Sequence, residues 1–192
     1  MKYYQSISLL PNSDVSPNFV WKKLYQQIHI ILADNKTEEN KSKIGVSFPE
    51  YDETKHALGM KLRLFAYNEE TLKRVQLEKW LERLKDYVHI SKIKPVPEKI
   101  SEYACFKHVK LKGNREKLAR RRATRKGLTF EQALEHYEGF DEQHTTLPYI
   151  NMVSATNGQR FRLFIEKRNV DDPQKGMFSC YGLSSKTAVP LF

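Results

Sequence analysis

The chain has 192 residues, 40% of them hydrophobic, and 33 Lys and Arg against 23 Asp and Glu give it a formal net charge of +10. This length fits one large domain or two small ones with a real core, and no apolar run approaches membrane-spanning length. Nothing resembles a signal peptide, and Cys105 and Cys180 form no CxxC pair, which argues against a disulfide framework or a zinc site. We therefore expect a soluble, basic, cytoplasmic protein with reduced thiols and no membrane partner.

The first half of the chain predicts an alternation of strands and helices. Gly59–Tyr67 alternates apolar and charged residues, as a strand does, and the apolar residues of Pro17–Ala33 recur at spacings of three and four, as in a helix. The predicted strands are Lys2–Leu10, Lys43–Pro49, Gly59–Tyr67 and Tyr87–Ile93, and the predicted helices are Pro17–Ala33 and Asn68–Asp86. The order β-α-β-β-α-β predicts a ferredoxin-like, RRM-like domain over residues 1–95.

Pro95-Val96-Pro97 predicts a boundary, so we expect a second α+β domain over residues 98–192. Thr129 with Gln132 three residues later is a capping box, and Asn157-Gly158 is the strongest hairpin signal in the chain. The predicted strands are Tyr103–Leu111, Tyr149–Ala155, Gln159–Lys167 and Met177–Leu183, and the predicted helices are 114–126 and Thr129–Tyr137.

Positive charge is concentrated in residues 107–126, which hold ten of the 33 Lys and Arg and a single acid, Glu116. Asn114 is a suitable N-cap and Gly127 a suitable stop, so the stretch predicts an arginine-rich helix. One face of that helix carries Lys117, Arg121 and Arg125, with Arg122 beside them. Such a concentration of one sign favours a nucleic-acid partner. A solvated basic face and a localisation signal are the alternatives.

The chain contains no metal-binding or nucleotide-binding motif. The six histidines form no HxxxH, HExxH or Cys/His pattern, the acids form no DxD cluster, and there is no P-loop or GxGxxG. We therefore predict no metal and no cofactor. His29 lies about a third of a turn from the apolar stripe of its helix, where an imidazole can reach a groove, although a histidine without a function is the simpler interpretation.

Four other residues could each belong to a functional site or be ordinary structural residues. Ser154 and Thr156 lie in the predicted hairpin, where hydroxyl residues commonly form turns. Phe161 and Tyr181 are core aromatics by default. Arg160 and Arg162 are expected on the opposite face of the Phe161 strand, where they extend the basic surface.

The chain resembles the type I-F CRISPR precursor-RNA endoribonuclease family over essentially its whole length. No one motif decides the resemblance, which rests on the order and spacing of several segments together. These are the first strand and the helix with His29, the IGVSFP of 44–49, the basic helix 114–125, the GQRFRLFI of 158–165, the FSCYGLS of 178–184 and the final VPLF.

The resemblance implies a ferredoxin-like domain and a second domain whose arginine helix docks in the major groove of an RNA hairpin. It implies metal-independent cleavage at the 3′ base of that hairpin in each CRISPR repeat. The product would be a mature CRISPR RNA that the enzyme keeps as a subunit of the type I-F surveillance complex. The reaction needs no metal because the RNA supplies its own 2′-hydroxyl nucleophile.

The resemblance also assigns roles to individual residues. His29 matches the catalytic histidine, Ser154 the serine that positions the 2′-hydroxyl, and Tyr181 the tyrosine beside the histidine. Phe161 matches the aromatic that stacks on the terminal base pair, and Thr156 a second hydroxyl of the serine loop. The expected RNA-binding residues are His108, Lys110, Lys117, Arg120, Arg121, Arg122, Arg125, Thr156 and Phe161.

The sequence departs from the family pattern just before the basic helix. His108 and Lys110 stand where the family commonly reads base edges with an arginine and a glutamine, so the preferred stem sequence is open. Thr124 replaces a helix arginine, partly offset by Arg120 and Arg122. The alternatives to an endoribonuclease are a non-catalytic subunit that binds an RNA hairpin and a DNA-binding regulator.

Overall fold

A computed structural model describes residues 1–11, 14–111, 115–139 and 144–192. It is an α+β structure in which the described strands form two antiparallel sheets. The first sheet has the order β2-β3-β1-β4, and a short β5 also pairs with β1. Its elements are β1 (Tyr3–Leu9), α1 (Pro17–Asp34), β2 (Gly45–Ser47), β3 (Lys61–Ala66), β4 (Val88–Ile90) and β5 (Lys94–Pro95). This strand order confirms the predicted ferredoxin-like unit.

Helix α1 supplies much of the buried surface beneath this sheet. Ser16 is the N-cap, where its hydroxyl accepts from the Phe19 amide, and Pro17 follows at the first helical position. Leu24, Ile28 and Ile31 are fully buried on one face of the helix. Each such side chain stabilises the fold by about 1.5–3 kcal/mol relative to an exposed one. Because α1 ends at Asp34, the predicted helix Pro17–Ala33 is confirmed to within one residue.

The second predicted helix, Asn68–Asp86, is wrong as a single element. The chain forms α2 (Glu69–Lys73), α3 (Leu77–Trp80) and a 3-10 turn (Glu82–Leu84) instead. Gln76 has φ 49° and ψ 51°, a left-handed conformation that interrupts the helical hydrogen bonds. Val75 and Leu77 are both buried, and this spacing of two does not fit one face of a continuous helix.

The second sheet has the order β7-β8-β6-β9. Its strands are β6 (Glu102–Val109), β7 (Tyr149–Val153), β8 (Arg160–Val170) and β9 (Val189–Leu191). The hairpin of β7 and β8 is confirmed, with Val153 opposite Arg160. Its loop is longer than a two-residue turn, because the Ser154 amide donates to the Gln159 carbonyl at 2.9 Å. Gly158 alone of the loop residues has a positive φ, 68°, whereas a type I′ turn needs two.

The predicted strand Met177–Leu183 is wrong. Phe178 pairs with Ser42 as an isolated bridge, and the chain then turns, with the Gly182 amide donating to the Ser179 carbonyl at 2.8 Å. Gly182 has φ 72°, a conformation that ends an extended run and that glycine adopts without strain. The last strand lies further on, at β9. We call residues 179–182 the Ser179 turn.

The chain divides into two compact units, one of Met1–Val109 with Leu147–Phe192 and one of Lys110–Thr146. The first contains both sheets, and its core includes Phe48 and Phe106, whose rings meet at 5.5 Å. The second contains α4 (Arg115–Lys126) and α5 (Phe130–Glu135). The boundary predicted near residue 96 falls between the two sheets in the sequence, and as a domain boundary it stays a prediction.

Candidate active site

His29 lies on α1 with its side chain half-buried and its ring held by a backbone carbonyl. The Nδ1 atom is 3.0 Å from the carbonyl oxygen of Cys180. Because a carbonyl oxygen only accepts, Nδ1 must carry the hydrogen of this bond. The neutral ring then has its lone pair on Nε2. His29 is thus fixed in the tautomer whose other nitrogen can take up a proton.

The ring of Tyr181 stacks on the ring of His29. The two centroids are 4.0 Å apart and the planes differ by 2°. The stack fixes the plane of the imidazole, while the bond to Cys180 fixes its rotation within that plane. Partial burial raises the pKa of the Tyr181 phenol above its usual value, so its hydroxyl stays protonated at neutral pH.

Three successive carbonyls anchor the Ser179 turn. The Cys180 carbonyl accepts from His29, the Tyr181 carbonyl accepts from the Tyr25 hydroxyl at 2.8 Å, and the Gly182 carbonyl accepts from the Val46 amide at 2.9 Å. Tyr25 is fully buried. Because backbone carbonyls shielded from water must find donors, each of these bonds resists a shift of the turn.

Two glycines allow close packing around this turn. A Cβ atom on Gly182 would lie 2.3 Å from Cγ2 of Val46, and one on Gly45 would lie 2.4 Å from the ring of Phe178. Both distances are far below van der Waals contact. The glycines of the IGVSFP and FSCYGLS segments therefore bring the Ser179 turn against β2 and α1.

Ser154 follows the last residue of β7, and α1 contacts this strand end directly. The Val153 amide donates to Oε1 of Gln26 at 3.1 Å. Gln26 and His29 are three residues apart on α1, so they lie on the same side of the helix. Ser154 is half-buried, and Thr156 lies exposed in the loop that follows. One helix thus carries His29 and holds the strand end next to Ser154.

His108 lies at the end of β6 beside the same tyrosine. Its ring centroid is 6.1 Å from that of Tyr181, with the planes tilted by 57°. The structure thus brings together His29, Tyr181 and His108, to which the family resemblance assigns two different roles. Phe161 lies on β8 opposite Met152, half-buried against the core. Its neighbours Arg160 and Arg162 are exposed on the other face, as predicted.

The arginine-rich helix α4 belongs to the second unit and packs on α5. Ala119 is buried, whereas the side chains of Lys117, Arg120, Arg121 and Arg125 are exposed. Arg120 lies 3.7 Å from Glu116, and its guanidinium is 5.7 Å from the Phe130 ring centroid. Arg122 is half-buried. Lys110 is exposed at the start of the unit, and Asn114, the predicted N-cap, lies outside the described residues.

The sequence comparisons agree with the resemblance noted above. Residues 4–192 match the family described as CRISPR-associated protein (Cas_Csy4). The chain belongs to this family. It is 34% identical to the CRISPR-associated endonuclease Cas6/Csy4 of Escherichia coli (strain UTI89 / UPEC) and 32% identical to the protein of that name from Pseudomonas aeruginosa (strain UCBPP-PA14). Each match covers 100% of both chains.

Two solved structures resemble the chain at low sequence identity. An RAMP protein binding different RNA substrates matches with a TM-score of 0.39 and 9% identity over 100% of both chains. A Cas6-related gene product from Pyrococcus furiosus matches with a TM-score of 0.36 and 10% identity, over 100% of this chain and 98% of the other.

In residues 1–11, 14–111, 115–139 and 144–192, no group of three or more His, Cys, Asp or Glu side chains is placed to hold a metal ion. Of the helices in the described part of this Csy4-family chain, none has the length and apolar character needed to cross a bilayer.

Sequence reasoning did not identify Tyr25, Gln26 or the Cys180 carbonyl as parts of the site. Tyr25 and Gln26 precede His29 by four and three residues, a spacing that places all three on one side of α1. That spacing was the available signal. The Cys180 carbonyl carries none, because a backbone atom is invisible in a residue pattern.

Proposed function

We propose that this Csy4-family chain is an endoribonuclease that cleaves CRISPR repeat RNA at the 3′ base of its hairpin without a metal. The product is mature CRISPR RNA, and the enzyme keeps it as a subunit of the type I-F surveillance complex. Two relatives that match the chain from end to end are endonucleases by name, which supports an RNA-processing nuclease. The observation that carries the proposal is the imidazole of His29, held by Cys180 and stacked on Tyr181.

The proposed reaction uses the fixed tautomer of His29 for proton transfer. The 2′-hydroxyl next to the scissile phosphate attacks phosphorus, and the bond from phosphorus to the 5′-oxygen breaks. This leaves a 2′,3′-cyclic phosphate and a 5′-hydroxyl, so one proton leaves the 2′-oxygen and one reaches the 5′-oxygen. Nε2 of His29 is the free ring nitrogen that serves this transfer, a contribution of roughly 10² to 10⁴ in rate. Ser154 holds the attacking ribose, as the family pattern implies.

The main contact with the hairpin stem is assigned to helix α4 of the second unit. Helix α4 exposes Lys117, Arg121 and Arg125 on one face, and a helix of this kind suits a short RNA stem approached from its open end. His108 and Lys110 contact the foot of the stem, and Phe161 stacks on its terminal base pair. These contacts position the stem, and the 2′-hydroxyl then determines where the RNA strand is cut.

The test is incubation of the cognate repeat RNA with the protein in EDTA. We expect cleavage with a 5′-hydroxyl and a 2′,3′-cyclic phosphate, and no cleavage when the ribose at the cut site is 2′-deoxy. Uncut RNA would leave the non-catalytic hairpin-binding subunit as the function. Cleavage of the deoxy substrate would rule out attack by the 2′-hydroxyl.

A histidine pair separates catalysis from folding. His29→Ala should lower the cleavage rate by roughly 10² to 10⁴ while hairpin affinity is retained. His89→Ala is the control, because His89 is an exposed histidine on β4 and has no role in the proposed site. Loss of hairpin binding in His29→Ala, with normal binding in the control, would make His29 a structural residue.

A further inference from the structure

A basic cavity lies at the C-terminal end of α1. It has a volume of about 250 Å³ and is lined by Asn35, Lys36, Thr37, Lys43, Ile44, Thr71 and Arg74. Three of these seven residues are cations and none is an acid. The hydroxyl and amide groups of Asn35, Thr37 and Thr71 add hydrogen-bonding atoms to the lining. The cavity therefore has the chemistry of a site for phosphate oxygens.

The three cations of this cavity are exposed, and they make no ion pair with any described residue. Of the acids near these cations in the sequence, three pair with other lysines, whereas Asp34 and Glu38 form no ion pair with any described residue. Glu39 pairs with Lys41 at 2.7 Å, and Glu69 and Glu70 both pair with Lys73. Lys36, Lys43 and Arg74 thus face the cavity without an ion-pair partner among the described residues, so an external anion can bind them.

The cavity is joined to the candidate active site through residues 35–44. Asn35 lies six residues after His29, a rise of about 9 Å along α1. The thiol of Cys180 donates to the Asn40 carbonyl at 3.1 Å, and Ser42 forms a two-way backbone bridge with Phe178. The segment that carries Lys36 and Lys43 therefore contacts the turn whose carbonyl orients His29.

We propose that Lys36, Lys43 and Arg74 form a phosphate-binding site for the single-stranded RNA on the 3′ side of the cut. The inference rests on the proposed function and extends it from the hairpin to the segment that follows the scissile phosphate. Exposed cations along a groove follow a nucleic-acid backbone without reading its bases. The site holds that segment in line with the attacking 2′-hydroxyl and is indifferent to its base sequence.

The experiment compares three RNAs, each with a 2′-deoxy ribose at the cut site so that none is cleaved. They are the hairpin alone, the hairpin with a 3′ single-stranded extension, and the hairpin with a 5′ extension of equal length. We expect the 3′ extension to raise affinity, and the combined variant Lys36→Ala, Lys43→Ala and Arg74→Ala to abolish the gain. Three phosphate contacts on a single strand correspond to a decrease of about 2 in the salt slope of binding.

A second combined variant controls for net charge. Lys94→Ala, Lys99→Ala and Lys175→Ala removes three exposed lysines outside the cavity, so it changes the net charge equally. It should leave the gain from the 3′ extension intact. An equal loss in both variants, or a loss confined to the 5′-extended RNA, would overturn the inference. A 3′ extension that adds no affinity to the wild type would overturn it as well.

The outcomes distinguish this inference from the proposed function. A wild type that cuts unmodified repeat RNA but gains nothing from the 3′ extension refutes only the cavity's role. A wild type that binds no hairpin and cuts no RNA refutes the proposed function. Bases in the extension are then exchanged between purines and pyrimidines, and a loss of affinity on exchange would show base reading in place of phosphate contacts.

Discussion

Oε1 of Gln26 accepts a hydrogen bond from the backbone amide of Val153 at 3.1 Å. The bond joins the helix that carries His29 to the strand end that precedes Ser154. If Ser154 holds the attacking ribose, this bond sets the position of the ribose relative to the imidazole. Gln26 is then a positioning residue, which acts through the backbone and not on the RNA.

Replacement of Gln26 should therefore slow cleavage without weakening binding. Gln26→Leu keeps a similar volume but removes the acceptor, a loss of about 0.5–1.5 kcal/mol. We expect the single-turnover cleavage rate to fall roughly 3- to 10-fold while the hairpin Kd is unchanged. Gln26→Glu keeps an acceptor oxygen and should restore most of the rate.

The neighbouring glutamine is the matched control. Gln27→Leu makes the same chemical change one residue along α1, where the side chain lines a different groove with Phe19 and Trp80. Its cleavage rate should equal that of the wild type. Equal losses in both variants would indicate general damage to the helix and would refute the positioning role.

The aromatic ring of Tyr181, and not its hydroxyl, is expected to support His29. The rings stack at 4.0 Å, and such a pair contributes about 0.5–1.5 kcal/mol. Tyr181→Phe should therefore cleave at nearly the wild-type rate, whereas Tyr181→Leu should be roughly 3- to 10-fold slower. Single-turnover rates on the cognate hairpin measure both. A strong loss in Tyr181→Phe would assign the phenol a chemical role instead.

The sequence predicted the elements that obey a regular period. The apolar spacing of α1 and the alternation in β3 led to the ferredoxin-like order, and the resemblance pointed to His29 and Tyr181. What it missed depends on single backbone torsions and on contacts distant in the sequence. The left-handed Gln76 divides a helix, and the turn at Gly182 replaces a strand. The bond between His29 and Cys180 spans 151 residues, so no local pattern contains it.

Gly182 should be intolerant of any side chain. Its φ is 72°, and an added Cβ atom would lie 2.3 Å from Val46. Gly182→Ala should therefore lower the free energy of unfolding by more than the backbone strain alone, which is about 1 kcal/mol. Chemical denaturation measures the loss. Gly158 has φ 68° with nothing within 4 Å of its added Cβ, so Gly158→Ala isolates the strain. Equal losses in the two variants would mean that the contact with Val46 is relieved without cost.

The buried phenol of Tyr25 should make stability fall in alkali. Burial raises the pKa of Tyr25 above its ordinary value of 10.0, because the phenolate would lose its hydration. A group whose folded pKa is raised contributes stability that is complete below pH 10.0 and is lost as the pH rises towards its folded pKa.

Tyr25→Phe removes both this titration and the bond to the Tyr181 carbonyl. At neutral pH we expect the variant to be less stable by about 1 kcal/mol. Above pH 10.0 the wild type should lose stability faster, so the difference between the two proteins should narrow. Urea denaturation at neutral and alkaline pH measures the difference in stability. The other tyrosines are present in both proteins, so the effect of their titration cancels in this difference. A gap that stays constant or widens would contradict the effect of burial.

Arg121 should contribute one phosphate contact to hairpin binding. It is exposed on α4 in the row of Lys117 and Arg125, and it forms no ion pair with any described residue. Arg121→Ala should weaken hairpin binding and lower its salt slope by about 1, because one fewer counterion is released. Lys73→Ala is the control, since Lys73 is an exposed cation that already pairs with Glu69 and Glu70. Titrations of each variant at several salt concentrations give the slopes. Parallel slopes for Arg121→Ala and the wild type would place this arginine away from the RNA phosphates.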